Sequence, residues 1–206
     1  MNLPNKVTLL RIGLIPIFLL IYLAQPFHVI INLWLAMVVF IIASITDAID
    51  GHLARKYKQV TNFGKLIDPL ADKLLICSAL VAFVHTGSLS GQFGPWAGQF
   101  SIWAVIILIG REFYVSGLRL IALEQGKVLA ALKGGKLKMG LQIALVVVTL
   151  LPMPMLELFP IPTLFLDWLN ILHRFSVLIL LALSTIVSVI SAIDYTAKNK
   201  DVLVKQ

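Results

Sequence analysis

The sequence predicts an all-α protein that crosses a membrane several times. Its 206 residues are 59% hydrophobic and 13% charged, with a mean hydropathy of +0.96, and this composition is not that of a soluble domain. Apolar runs of about 20 residues recur, each long enough to cross a hydrocarbon core about 30 Å thick. We therefore expect one domain over 1–206, with six transmembrane helices and a polar cavity open to the cytoplasmic face.

Each predicted span corresponds to one apolar run: 7–24, 28–55, 65–85, 100–123, 140–151 and 175–195. The fifth stretch, 140–151, is the shortest and needs the residues on either side of it to reach across the membrane. The first run is expected to be retained, because no convincing small-x-small cleavage site of a signal peptide follows it. A loop is predicted at 86–99, which holds five glycine or proline residues and no charge. We also expect a basic connection at 124–139 and a proline-rich interfacial loop at 152–174.

The basic residues indicate how the chain is oriented. The net charge is +7, and nearly all Lys and Arg residues lie at the termini and after the second and fourth spans. By the positive-inside rule, both termini face the cytoplasm, in a cell membrane with anionic lipids as partners. Aromatic and basic residues do not interleave as in a nucleic-acid surface, and the single cysteine, Cys77, excludes an internal disulfide.

Four of the ten acidic residues lie within 47–72, at Asp47, Asp50, Asp68 and Asp72. The first two are spaced i, i+3 at the end of one predicted helix, and the last two i, i+4 at the start of the next, so each pair shares a face. A short connection makes the helices antiparallel neighbours, and the carboxylates should converge. Converging carboxylates suit a hard divalent cation, Mg²⁺ or Mn²⁺, and two ions would suit displacement at phosphorus.

Small residues accompany the first aspartate pair. Gly51 and Ala54 lie on or next to the same face and leave a hollow where a ligand could approach, and Arg55 could meet a phosphate at its edge. The alternative is that Gly51 and Ala54 only allow close helix packing.

The full pattern, Asp-x2-Asp-Gly-x2-Ala-Arg-x8-Gly-x3-Asp-x3-Asp from residue 47 to residue 72, resembles the signature of the CDP-alcohol phosphatidyltransferase family. The resemblance implies a membrane enzyme, commonly a homodimer, that displaces CMP from a CDP-linked donor with an alcohol hydroxyl. It implies that the four aspartates hold two divalent metal ions and that Asp72 is also the base that takes the acceptor's proton. It further implies a CDP pocket formed by Asp47, Gly51, Ala54 and Arg55.

The N-terminal segment is similar to the opening of the same family. Pro4, Asn5, Thr8 and Arg11 match its Pro-Asn-x2-Thr-x2-Arg pattern, which implies contacts of Asn5, Thr8 and Arg11 with the CDP-linked donor. The alternative for Arg11 is a side chain that snorkels to the membrane interface.

A second polar cluster lies in the fourth predicted span. Charged side chains within a span should face a polar interior, and Glu112, Ser116 and Arg119 share one helical stripe with Arg111 close by. Together with Lys133, Lys136 and Lys138 in the basic connection, the arginines could bind the phosphate of a phosphorylated acceptor. The alternative is an ion pair at Glu112 and an interfacial Arg119.

The strings around 68–73 and 111–119 resemble a branch of the family in which sn-glycerol 3-phosphate accepts the phosphatidyl group of CDP-diacylglycerol. Other acceptors, namely phosphatidylglycerol, inositol phosphate or serine, remain alternatives. A different class, the ion-coupled transporter, also places carboxylates and arginines in membranes. The clustering of the aspartates near one membrane face, without an inverted repeat, favours the enzyme.

Overall fold

The computed structural model describes the backbone at 3–57, 62–90, 93–125 and 133–200, and the side chains there except at 3–8, 47–57, 62–72, 123–124, 133–134, 136 and 157. The elements are α1 (Leu3–Leu19), a π-helical turn (Leu20–Ala24), α2 (Val29–Tyr57), α3 (Asn62–Thr86), α4 (Pro95–Glu124), α5 (Lys133–Thr149), a 3₁₀ helix (Met153–Leu158) and α6 (Thr163–Lys198). These residues contain no strand, which confirms the predicted all-α class.

Helix α4 begins five residues before the predicted fourth span, so the predicted loop at 86–99 is wrong from Pro95 onward. Proline suits the first position of a helix because its fixed φ is helical and its missing N–H would have no partner there. Gly94 directly before it has a φ of 92°, a left-handed conformation that glycine adopts without strain. The glycines and prolines of this segment therefore form a helix start as well as a loop.

Helices α5 and α6 also begin earlier than predicted. The basic connection is wrong from Lys133 onward, because α5 begins there, and the interfacial loop is wrong from Thr163 onward, because α6 begins there. The carbonyl of Pro162 accepts hydrogen bonds from the backbone N–H groups of Phe165 and Leu166, at 2.9 and 3.1 Å. The prolines thus precede α6 and do not interrupt it.

Two described segments, Val29–Thr46 and Thr163–Lys198, are long and apolar enough to cross a membrane by length and composition. Shorter apolar helical segments lie at Leu9–Ala24, Lys73–Thr86 and Leu137–Thr149. The prediction of six spans is not confirmed by these segments and stays a prediction.

The chain forms two compact units, and unit 1 comprises Met1–Thr86 and Val146–Leu172. In this unit α1 packs against both α2 and α3. Its core includes the buried aromatic residues Phe18, Tyr22, Phe40 and Phe83. The hydroxyl groups of Tyr22 and Thr86 hydrogen-bond at 2.9 Å, which places the π-helical turn that follows α1 beside the C-terminal end of α3.

Unit 2 comprises Gly87–Leu145 and His173–Gln206. One buried face of α6 runs through this unit at three- and four-residue spacing and is largely polar: Val177, Leu181, Ser184, Ser188, Ser191 and Tyr195. Tyr195 packs against Val115 and Leu118 of α4. Hydrogen bonds from Arg111 to Ser191 and from Arg119 to Tyr195 also join α4 to α6.

Candidate active site

The predicted metal ligands lie on helices, as the sequence indicated. Asp47 and Asp50 lie in the last part of α2, and Asp68 and Asp72 lie in the first half of α3. Their side chains are outside the described residues, so their convergence stays a prediction. Among the side chains that are described, no group of three or more His, Cys, Asp or Glu residues could hold a metal ion.

The two helices carry the aspartate pairs at matching heights. Asp50 and Asp47 lie seven and ten residues before the end of α2, or about 10 and 15 Å along the helix axis. Asp68 and Asp72 lie six and ten residues after the start of α3, or about 9 and 15 Å. Only residues 58–61 separate the two helices, which contact each other. If the two helices are antiparallel neighbours, Asp50 and Asp68 would lie at one level along the helix axes, and Asp47 and Asp72 at another.

Gly51, Ala54 and Arg55 lie in the last two turns of α2, beyond the first aspartate pair. Asn5 and Thr8 lie in the first two turns of α1. All five residues are helical, and Asn5 is part of α1 although the predicted first span began only at residue 7. Their side chains lie outside the described part of the chain, so their predicted contacts with a CDP group are not tested.

Arg11 is the one predicted donor-binding residue whose side chain is described, and it is buried inside unit 1 with 1% of its surface exposed. A side chain that snorkels along a lipid-facing helix is expected to be exposed, so this burial favours an interior role over an interfacial anchor. A buried guanidinium keeps its charge and requires polar or anionic surroundings. Arg11 is therefore suited to an anionic ligand or to the carboxylates of the same unit.

The position of Arg11 along α1 places it near the level of the aspartates. The hydrogen bond between Tyr22 and Thr86 fixes the register of α1 against α3. Arg11 lies 11 residues before Tyr22, or about 16 Å. Asp72 lies 14 residues before Thr86, or about 21 Å. Arg11 is thus about one helical turn from the level of Asp72.

The second predicted cluster is assembled in unit 2 from three helices. Lys138 of α5 forms a salt bridge with Glu112 of α4, and their side chains are 7% and 12% exposed. The Arg111 side chain is 10% exposed, and its Nη1 lies 3.7 Å from Oε2 of Glu112. Nη2 of Arg111 donates a hydrogen bond to Oγ of Ser191 on α6 at 3.1 Å. Three of the predicted polar residues, Arg111, Glu112 and Lys138, are therefore in contact at a mostly buried position.

Arg119 lies two turns along α4 from Arg111 and is exposed. Its Nε donates a hydrogen bond to the hydroxyl of Tyr195 at 3.2 Å, and its guanidinium carbon lies 5.5 Å from the centre of the Tyr195 ring. The tyrosine thus offers both a hydroxyl acceptor and an aromatic surface to one cation. Lys133 and Lys136 lie in the first turn of α5, with side chains outside the described residues.

These contacts agree with the alternative of an ion pair at Glu112, while the interfacial position of Arg119 stays a prediction. They do not exclude an anion pocket, because Glu112 neutralises only part of the charge. Arg111, Arg119 and Lys138 carry three positive charges against one carboxylate, which leaves an excess of two among these described groups. Two of these cations, Arg111 and Lys138, are buried while Arg119 is exposed, and an excess of positive charge beside a buried pair favours an anion.

Sequence reasoning missed Ser191 and Tyr195, which hold the two arginines. They lie one turn apart on the polar face of α6. A signal was present in the sequence, since Ser184, Ser188, Ser191 and Tyr195 repeat at helical spacing within an apolar run. The sequence did not indicate which helix this polar face meets.

The family model of the CDP-alcohol phosphatidyltransferases matches residues 1–193. A protein of Bacillus subtilis (strain 168), named CDP-diacylglycerol–glycerol-3-phosphate 3-phosphatidyltransferase, is 45% identical over 163 residues, which cover 73% of this chain and 77% of the relative. A probable phosphatidylglycerophosphate synthase of Mycobacterium tuberculosis (strain ATCC 25618 / H37Rv) is 34% identical over 197 residues, which cover 96% of this chain and 81% of the relative. This chain belongs to the CDP-alcohol phosphatidyltransferase family of enzymes.

Proposed function

We propose that this membrane enzyme transfers the phosphatidyl group of CDP-diacylglycerol to sn-glycerol 3-phosphate, releases CMP and forms phosphatidylglycerophosphate. The relatives that match most of the chain carry this activity in their names. The observation in the structure that supports a phosphorylated acceptor is the cluster of Arg111, Arg119 and Lys138 in unit 2, where the described side chains place three cations beside one carboxylate. Serine, which lacks a phosphate group, would not use this excess.

The donor site is proposed to lie in unit 1. Asp47, Asp50, Asp68 and Asp72 would hold two Mg²⁺ or Mn²⁺ ions, because an all-carboxylate donor set on adjacent helices fits hard divalent cations. When bound, such ions polarise a diphosphate and neutralise charge on a leaving phosphate. The buried guanidinium of Arg11, near the level of Asp72, would contact the donor's phosphates together with Asn5, Thr8 and Arg55.

The transfer itself is proposed to be a direct displacement. Asp72 accepts the proton of the primary hydroxyl of glycerol 3-phosphate as the hydroxyl oxygen attacks the phosphatidyl phosphorus. A new oxygen–phosphorus bond forms, and the bond from that phosphorus to the oxygen of CMP breaks. No covalent enzyme intermediate is needed. Gly51 and Ala54, which have small side chains or none, leave space in the CDP pocket for the nucleotide.

The remaining architecture is part of the proposal. We place six spans in the membrane, with both termini and a polar cavity at the cytoplasmic face, because the basic residues concentrate at the termini and after the second and fourth spans. We expect a homodimer on the basis of family resemblance. Because the chain belongs to an enzyme family, we no longer consider the transporter alternative.

The test is transfer of radiolabelled glycerol 3-phosphate into lipid by the purified protein, with CDP-diacylglycerol and Mg²⁺ or Mn²⁺. We expect label in lipid and an equal amount of CMP, both dependent on CDP-diacylglycerol. Preferential use of phosphatidylglycerol, inositol phosphate or serine in the same assay would contradict the proposed acceptor.

The aspartates are tested in that assay by Asp50→Ala and Asp68→Asn, each of which should lower CMP release at least about 100-fold, the scale of losing a principal electrostatic contribution to catalysis. Asp194→Asn is a matched control, because Asp194 is an exposed carboxylate whose described partner is Lys198 at 2.9 Å. This control should retain wild-type activity. Full activity of either site variant would refute the proposed metal site.

A further inference from the structure

The C-terminal half of α6 provides a hydroxyl group to each of the two arginines of the cation cluster. Oγ of Ser191 accepts a hydrogen bond from Nη2 of Arg111, and Oη of Tyr195 accepts one from Nε of Arg119. Ser191 is 7% exposed and Tyr195 is 3% exposed, so both acceptors are fixed in the interior of unit 2. The two arginines lie eight residues apart on α4, and their acceptors four residues apart on α6.

The contact with Tyr195 determines which part of Arg119 remains available. With Nε engaged, the two terminal nitrogens of Arg119 make no hydrogen bond to any residue in the described part of the chain. These nitrogens form the end of the guanidinium fork, which binds two oxygens of a phosphate group at once. The hydroxyl of Tyr195 therefore orients the fork and leaves its phosphate-binding edge open.

The packing of Tyr195 makes this orientation rigid. Its ring lies against Val115 and Leu118, and Leu118 directly precedes Arg119 on α4. An exposed arginine otherwise samples many rotamers, and fixing such a side chain on ligand binding has an entropic cost. A buried hydroxyl that already restrains the guanidinium removes part of this penalty before the ligand arrives.

We propose that Tyr195 and Ser191 are positioning residues that orient Arg119 and Arg111 for the phosphate group of the acceptor. Neither hydroxyl touches the acceptor, and each acts through its arginine. The inference rests on the proposed function and deepens it, because it assigns selectivity for a phosphorylated acceptor to one face of α6.

The primary test is Tyr195→Phe, which removes one oxygen and leaves the packed ring. The KM for glycerol 3-phosphate should rise about 3- to 10-fold, the scale of one typical hydrogen bond, because the hydroxyl orients the guanidinium and does not itself bind the acceptor. The KM for CDP-diacylglycerol should change less than 2-fold. The inhibition constant of inorganic phosphate, used as a competitor of glycerol 3-phosphate, should rise in parallel. Ser191→Ala should shift the same constants in the same direction.

Tyr114→Phe is the matched control. Tyr114 also lies on α4, and its hydroxyl bonds to that of Thr196 on α6 at 3.1 Å, without contacting a cation. This variant loses a tyrosine hydroxyl between the same two helices, so it reports a purely structural effect. Its kinetic constants should match those of the wild type.

A double-mutant cycle separates positioning from general destabilisation. If Tyr195 acts through Arg119, Tyr195→Phe should raise the KM for glycerol 3-phosphate in the wild type but not in an Arg119→Ala background. An equal rise in both backgrounds, or no rise in the wild type, would overturn the inference. If the wild type transfers no label from glycerol 3-phosphate, the proposed function has failed, and the two failures are thereby distinguished.

Discussion

The buried ion pair between Glu112 and Lys138 provides a quantitative prediction. Glu112→Gln preserves the size of the side chain but removes the negative charge from a site where the paired side chains are only 12% and 7% exposed. Arg111, whose Nη1 lies 3.7 Å from the same carboxylate, loses a neutralising neighbour as well. Removing one partner of a buried pair costs about 3 to 5 kcal/mol, because the remaining charge stays in a poorly hydrated place.

That loss should be visible in thermal unfolding of the purified protein in detergent. For a chain of this length, each kcal/mol corresponds to about 2 to 4 °C in Tm, so Glu112→Gln should lower the Tm by about 6 to 20 °C. Adding Lys138→Met removes the ammonium that has lost its carboxylate, so the double variant should recover part of the lost stability, while the cost at the buried Arg111 remains. Asp194→Asn, which breaks an exposed pair with Lys198, should change the Tm by about 2 °C or less.

The reasoning would be refuted by a double variant that is as unstable as the sum of the two single variants. Such additivity would mean that the two charges do not stabilise each other. A Tm of Glu112→Gln within about 2 °C of the wild type would refute it as well, because water would then have to reach a pair that the structure buries.

Two further changes test the cores of the two units. Tyr22→Phe removes the hydrogen bond to Thr86 and should lower the stability of the protein by about 0.5 to 1.5 kcal/mol with unchanged transfer activity; an unchanged Tm in a detergent melt would contradict this. Ser188→Ala should leave the Tm unchanged or raise it, because the fully buried hydroxyl of Ser188 has no hydrogen-bond partner among the described residues, and a clear loss of stability would show that this oxygen has a partner that matters.

The existence of the helices could be predicted from long apolar runs, but several helix starts could not. The apolar run of α2 was predicted to begin within one residue of its observed start at Val29. The starts of α4, α5 and α6 were missed because Pro95, the Lys-Gly-Gly-Lys segment from Lys133 and Pro162 have the composition of loops. Proline also suits a helix start, as Pro95 shows, so its presence does not distinguish a helix start from a loop. The two glycines and two lysines at the start of α5 disfavour a helix locally, and the sequence alone did not indicate that the helix extends through them.

In the candidate site, the residues that share a helix face could be predicted from the sequence, but the contacts between helices could not. The placement of the aspartate pairs on helix faces follows from spacing alone, because 3.6 residues per turn fixes which residues share a face. The partners of the cations do not follow from spacing. Lys138 is 26 residues from Glu112, and Tyr195 is 76 residues from Arg119. Such pairs depend on which helix faces meet, and an apolar sequence allows many packings.

The length of α6 has a consequence for the environment of the enzyme. Its 36 residues extend about 54 Å, whereas the hydrocarbon core of a bilayer is about 30 Å thick. A helix of this length would have to tilt by more than about 50° from the bilayer normal to fit entirely within the hydrocarbon core, and the usual tilt is at most about 40°. In the proposed membrane arrangement, one end of α6 therefore reaches the headgroups, where Trp168, with 67% of its surface exposed, is well suited to lie. The same helix carries Ser191 and Tyr195, so acyl chains that thicken or thin the bilayer would act on the arginines that these hydroxyls hold.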